Sequence, residues 1–590
     1  MKSKRILGLI GLATISVVAL AACGSNNAGK KNSGTETEDA SKFPLTTADK
    51  SKAKQGGTLN VAVVMDTQFQ GMFEWEMYQD AYDASFMAIS HEGLFKTDET
   101  FKIVDGGAAD LKLDKEKKTA TVTLKDNVKW NDGETVNSDD LLYPYLIIGA
   151  KDSPSTRYDD NFSNIVGMDD YHSGKAKEIS GITKDNDKQI TIQFNEVDPG
   201  MLQAGGAIWG YAAPYHQLKD IPIADLASSD AVRKNPLSFG PYYMNSIVKG
   251  ESVEYLPNKY YHGSKPKLDK IIAKGVPSDS IVEAMKAKKY DLVQSMPTDT
   301  YDTYKDTEGY SMLGGWDTAY SYLGFKLGKF DKEAEKNVTD KNAKMANKSL
   351  RQAMAYALDW DSIGNKFYSG LRTRANSAII PAFGDLHASD SEVPGYKLDL
   401  DKAKKLLDDA GYKDTDKDGF REDPKGNKLE INFASMAGGD TAQPIADYEI
   451  QQWKKIGLNV KLTTGRLIDF QAFYDKIQND DPSVDVYAAA WGTGTDPSPT
   501  SIYGPNTAWN YTRFVSDENT KLLKNIDSNK SFDDKYRKEA FNAWQKYASE
   551  EAFFVPTQFR YAVVPVSDKV VGYSIANDVY TPYANIGLAE

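Results

Sequence analysis

The chain has 590 residues, with 71 Lys and Arg against 84 Asp and Glu for a formal charge of -13, and a single Cys. That acidic balance argues against a nucleic-acid partner, because phosphate binding needs clustered Lys and Arg. One Cys excludes intramolecular disulfides, so a large apolar core must hold the fold.

In chain order, Lys2, Lys4 and Arg5 form a positive region ahead of an apolar run, 6–20, that closes on Leu20-Ala21-Ala22-Cys23. Small residues before a cleavage point and a Cys after it predict a removed leader, residues 1–22, and diacylglyceryl transfer to Cys23. The run is short for a bilayer crossing, which needs roughly 20 apolar residues. Such a lipid holds a protein on the outer face of a bacterial membrane without a spanning helix. The polar stretch that follows, up to residue 54, reads as a flexible tether.

Beyond the tether, 58–64 (TLNVAVV) reads as a core strand, and 119–125 and 189–194 alternate like half-buried antiparallel strands. Leu350, Ala353, Met354, Ala357 and Leu358 fall on one helical face. Segment 401–410 starts with acid and is followed by Gly411, a helix stop. Asp414-Thr415-Asp416-Lys417-Asp418-Gly419 matches the first half of a calcium loop. Its twelfth position is Lys425, leaving Glu422 or Asp423 as the late ligand. A structural calcium on Asp414, Asp416 and Asp418 and a plain acidic turn both fit this pattern. Segment 429–433, a helix ending at Ile456-Gly457, and 458–462 predict a β-α-β unit.

Four segments carry a family resemblance: 124–140 (LKDNVKWNDGETVNSDD), Phe239-Gly240-Pro241-Tyr242 continuing to Gly263, 350–359 (LRQAMAYALD) and 450–460 (IQQWKKIGLNV). Together they resemble the peptide-binding class of extracellular solute-binding proteins, the OppA/DppA type. The stretch 164–201, with Asp170-Tyr171-His172-Ser173-Gly174-Lys175, is most similar to the oligopeptide-binding lipoproteins of lactic acid bacteria. The resemblance implies an α/β, two-lobed, periplasmic-binding-protein-like clamshell with an extra inserted α+β domain. Its expected division is lobe I at 55–97, 210–316 and 560–590, the insertion at 98–209, and lobe II at 317–559. The implied partners are oligopeptides and the permease and ATPase subunits of an ABC importer, with the receptor acting as a monomer.

For the site, the resemblance points to Ala490, Trp491 and Gly492 as a wall and backbone for the peptide, and to Tyr158 and Phe559 as aromatics facing it. Relatives place an amine-binding Asp three residues after this Trp. Here that position is Gly494, and the nearest acid is Asp496, which either replaces the anchor or starts a turn before Pro497. The same scaffold also hosts pheromone, dipeptide, oligosaccharide and metal-chelate cargo. An anchored hydrolase is the rival from another class, but the five His are scattered and neither HExxH nor G-x-S-x-G occurs.

Overall fold

The computed structural model describes residues 42–49 and 52–589. The leader, Cys23 and the first part of the tether lie outside the described residues. The rest of the tether packs sooner than its polar composition implies. Phe43 lies edge-on to Tyr301 at 6.0 Å, Thr47 N donates to Tyr573 O (2.9 Å), and Ala53–Lys54 pairs with Gly587–Ala589. Free chain to residue 54 is therefore corrected for 42–49 and 52–54, because Phe43 finds an apolar neighbour and the backbone pairs with the C-terminal segment.

Eleven strands form one sheet. From one edge the order is Asn459–Leu462, Glu430–Ala434, Val486–Gly492, Tyr310–Phe325, Phe554–Ser567, Leu292–Gln294, Thr58–Val64, Lys270–Val276, Ser252–Pro257 and Tyr242–Val248, with Arg372–Arg374 also on Phe554–Ser567. Thr58–Val64 is flanked by two parallel neighbours and is buried from Val61 to Val64, which explains its near-continuous apolar run.

Two strands run through both lobes. Tyr310–Phe325 has 16 residues and Phe554–Ser567 has 14. Their antiparallel register holds from Tyr310↔Ser567 to Trp316↔Tyr561, breaks, and resumes at Tyr320↔Phe559. On one side of the break they join the sheet around Thr58–Val64. On the other they join the sheet around Val486–Gly492. Each lobe has its own apolar cluster, Leu59, Val61, Tyr255 and Ile271 in one and Leu350, Trp453, Phe541 and Trp544 in the other. Burying each such side chain contributes about 1.5–3 kcal/mol, so each lobe keeps its core if the other moves.

The predicted local elements form. The helix Lys348–Tyr356 is capped by Asn347, whose side chain accepts from Ser349 N. Leu400–Asp409 is capped by Asp399. Ala442–Lys455 links the parallel strands Glu430–Ala434 and Asn459–Leu462 as the β-α-β unit, with Gly457 at φ +82° where a left-handed turn ends it. The inserted α+β domain is an antiparallel four-stranded sheet, Ala109–Asp114, Thr119–Leu124, Gln189–Gln193 and Ile182–Asn186, over its own core of Val122, Trp130, Ile190 and Ile192.

Three of the segments that carry the resemblance are scaffold. Trp130 Nε1 donates to Asp140 Oδ2 (3.1 Å), and Asp140 closes a capping box with Asn137 on the helix Ser138–Gly149. A Cβ on Gly240 would sit 2.1 Å from Ser90 O, so only glycine fits. Arg351, buried in its helix, donates to the carbonyls of Met345, Ala346, Glu551 and Ala552.

Candidate functional site

Strand direction locates the cleft. Thr58–Val64, Lys270–Val276 and Leu292–Gln294 are parallel and run toward the second lobe. Glu430–Ala434, Asn459–Leu462 and Val486–Gly492 are parallel and run back toward the first. Both sets of C-terminal ends therefore face one crevice, the usual ligand position in open α/β sheets. The rim loops are 65–70, 277–280 and 295–300 on one side and 435–441, 463–469 and 493–498 on the other.

Contacts cross this crevice, so the lobes are closed on each other. Thr441 Oγ1 donates to Asp299 Oδ2 (2.7 Å), Gln471 Nε2 donates to Asp80 Oδ2 (3.1 Å), and the Tyr82 and Phe470 rings lie 4.9 Å apart. The inserted domain closes against the second lobe as well. Thr495 Oγ1 donates to Gln203 O (2.7 Å), Arg537 Nη2 donates to Gln203 Oε1 (2.8 Å), and Asn506 donates to Asp160.

Ala490, Trp491 and Gly492 end a strand beside the crossing pair, opposite Ser321, Tyr320 and Ala319. Half-buried Trp491 packs edge-on to Trp509 (5.6 Å) and against Tyr511 (4.9 Å), which fixes one side of the indole. Ala490 O accepts from Tyr474 Oη (3.4 Å). Gly492 is exposed, and a Cβ there would meet only Thr318 O, 4.0 Å away. Phe559 is across from Tyr320 in the same strand-to-strand row. It is buried, edge-on to His387 (5.3 Å) and Trp316 (6.4 Å), so its ring packs in the lobe core.

Tyr158 and Asp496 fall elsewhere, at the seam between insertion and second lobe. Tyr158 Oη donates to Asp169 Oδ1 (2.8 Å), and its ring stacks on His172 at 3.7 Å. His172 in turn pairs with Glu335 of the second lobe. Burial, then the Asp169 carboxylate, pushes the phenol of Tyr158 up.

Asp496 accepts from Ser498 N (3.0 Å), the turn role expected of an Asp before Pro497. Its carboxylate also lies against the insertion. A Cβ on Gly205 would stand 1.9 Å from Asp496 Oδ2, and one on Gly200 2.8 Å from Oδ1. Asp198, Asp527 and Arg537 surround it. Burial pushes the Asp496 carboxyl up; burial and the Asp496 charge push Asp527 up to about 7; burial and the Asp527 charge push Asp198 well above the usual carboxylate range. Gly494, three residues after Trp491, has φ +65° with open space around it.

Sequence reasoning missed the arginines at the hinge. Arg560 Nη2 lies 2.8 Å from Asp317 Oδ2, opposite the register break, and Arg372 is directly across from Arg560 on the neighbouring strand. Residues so far apart in the chain carry no local signal of this meeting.

Carboxylate oxygens of Asp414, Asp416 and Glu422 lie within 4.8 Å of one another, a set that fits a hard cation. Asp418 is not in that set and is corrected: its carboxylate accepts from Phe420 N (2.9 Å) and from Lys428 Nζ (3.1 Å). Lys428 also lies 3.1 Å from Asp416, where it competes with a bound cation.

Residues 102–512 match the family described as bacterial extracellular solute-binding proteins, family 5 Middle, and the chain belongs to that family. It is 38% identical over 599 residues to the oligopeptide-binding protein OppA of Lactococcus lactis subsp. cremoris (strain SK11), covering 100% of this chain and 99% of that one. The fold matches lactococcal OppA complexed with an endogenous peptide in the closed conformation, with a TM-score of 0.88 over 90% of this chain and 100% of that one. It also matches AppA from Bacillus subtilis in complex with a nonapeptide, at 22% identity and a TM-score of 0.76 over 91% of this chain and 100% of that one.

Proposed function

We propose that this protein is the receptor of an ABC importer, capturing oligopeptides in the interlobe crevice and delivering them to the permease. The observation that carries this is the end-to-end likeness, in sequence to a lactococcal OppA and in fold to lactococcal OppA complexed with an endogenous peptide in the closed conformation. The crevice supports the same reading. Gly492 and Thr493 leave a strand end with little side-chain cover, where extended backbone can pair while side chains occupy roomy pockets.

The lobes divide at 316/317 and 559/560 in this proposal, at the register break of the two crossing strands. Ligand binds the closed form preferentially and shifts an open–closed equilibrium. Diacylglyceryl Cys23 holds the monomer on the outer face of the membrane, and the segment after it lets the receptor reach both solution and importer. Native mass spectrometry of protein extracted from cells tests this. Co-purifying peptides and a lipid-modified N-terminus at Cys23 are expected. A sugar or chelate in their place overturns the cargo assignment, and an unmodified Cys23 overturns the anchor.

A further inference from the structure

We infer that Arg372 and Arg560 bind a carboxylate of the ligand at the floor of the crevice. The inference rests on the peptide reading above and names a chemical feature the cargo must carry.

Arg372 and Arg560 are direct partners on antiparallel strands. Like charges placed so repel each other and weaken the sheet. Among the described residues, the carboxylate that forms an ion pair here is Asp317, and it goes to Arg560 at 2.8 Å. The Arg372 guanidinium lies 3.8 Å from the centre of the Tyr368 ring. Among the described residues no carboxylate pairs with it and no group accepts its hydrogen bonds. The Nε atoms of both arginines are buried and unpartnered.

Arg374 and Arg537 also leave an Nε unpartnered, but each donates through its other nitrogens, Arg374 to Pro394 O (3.0 Å) and Arg537 to Gln203 Oε1 (2.8 Å). Arg351 satisfies its donors on four backbone carbonyls. Arg513 satisfies its own on Asp480 and the carbonyls of Gln478 and Ala508. Arg372 and Arg560 are half-buried, and a guanidinium partly withdrawn from bulk water without acceptors is costly, so the pair is short of one anion beyond Asp317.

The position fits a ligand group. Asp317 is in the break where the sheet passes between lobes. The turn before Arg372 is tied to the opposite lobe, with Ser369 Oγ donating to Asp302 Oδ2 (2.9 Å). Burial, then the neighbouring Arg560 charge, lowers the pKa of Arg372, against smaller opposing effects that include Asp299 on a rim loop of the crevice. A planar carboxylate between two guanidinium forks can take paired hydrogen bonds from each.

The carboxylate can be the peptide's C-terminus or an Asp or Glu side chain, and titration of the full-length protein separates the two. The probes are a pool of acidic hexapeptides, the same pool C-terminally amidated, and the pool with Asn and Gln in place of Asp and Glu. One replacement should weaken binding roughly 10- to 100-fold and thereby identify the source. Arg372→Gln should bring the acid pool down to the level of the weakened one and leave the latter unchanged. Arg560→Lys, which keeps charge but loses the fork, should do so in part. Equal affinity for all three pools, or an equal loss on every pool in Arg372→Gln, overturns the inference and leaves peptide binding standing. Binding of no pool by the unaltered protein overturns both.

Discussion

Two clusters of buried charge, one inside the second lobe and one where the inserted domain meets it, behave in opposite ways. In the first, Asp480 sits between two cations. Lys326 pairs with it, and Arg513 Nε donates to its Oδ1 at 2.7 Å. Burial alone would raise the Asp480 carboxyl, but the Lys326 and Arg513 charges outweigh it and hold it below the usual range. In the second, Asp198, Asp496 and Asp527 share the single cation Arg537, and all three carboxyls are pushed up, burial being the largest cause. The first cluster joins segments of one lobe. The second lies where the inserted domain meets that lobe. Matched charge belongs to a permanent core, and an excess of acid marks a seam that can open to water.

The sharpest way to break this contrast is at Asp480. Asp480→Ala would leave Lys326 and Arg513 buried without their anion, a loss of about 3–5 kcal/mol in chemical denaturation. A change below about 1 kcal/mol would show that water already reaches the cluster.

At the seam the expected effect is on ligand affinity, not on folding. Gly205→Ala puts a methyl where Asp496 now rests, which should hold the lobes apart and weaken peptide binding about tenfold, or about 1.4 kcal/mol. The melting temperature should be nearly unchanged. Small-angle scattering with and without peptide checks whether closure is what fails.

The two clusters should also respond to pH with opposite signs. Carboxyls raised in the closed state favour closure when protonated. Their contribution is fully present below the ordinary carboxylate range and is lost as pH rises through about 7, the value for Asp527. Peptide affinity should therefore fall several-fold between about pH 5 and pH 8, and Asp527→Asn should flatten the profile. The lowered Asp480 works the other way: its stabilisation is present at neutral pH and is lost only as pH falls below the ordinary carboxylate range. A flat affinity profile in the unaltered protein would mean the seam stays solvated when closed.

The smallest effect concerns the acidic loop, where Asp414 and Asp416 are exposed and Glu422 is buried. We propose that calcium on Asp414, Asp416 and Glu422 raises the melting temperature by a few degrees and that Asp416→Ala abolishes the rise. No change on adding EGTA to calcium-saturated protein would remove the site.

Much of the scaffold was legible from residue order. The helix through Leu350 and Met354 has its apolar face at helical spacing and a cap at Asn347, so its signal is local. The β-α-β unit announced itself through Gly457 and the two apolar runs around it. The candidate site was legible only in part. Trp491 and its neighbours lie beside the crevice, but Tyr158 and Asp496 are engaged at the seam, and the Arg372–Arg560 pair gave no sign. Position in a family segment places a residue on its strand or loop; what faces that residue depends on another part of the chain.

The sequence by itself determined the family, the two-lobed α/β plan and most local elements, because periodicity, caps and turn glycines act over a few residues. Tertiary structure decided where the sheet changes register between Trp316 and Tyr320, that Gly200 and Gly205 receive Asp496, and that two arginines 188 positions apart face each other. Those outcomes depend on strand pairing and close packing between distant segments, and no local pattern encodes which distant partner a strand will meet.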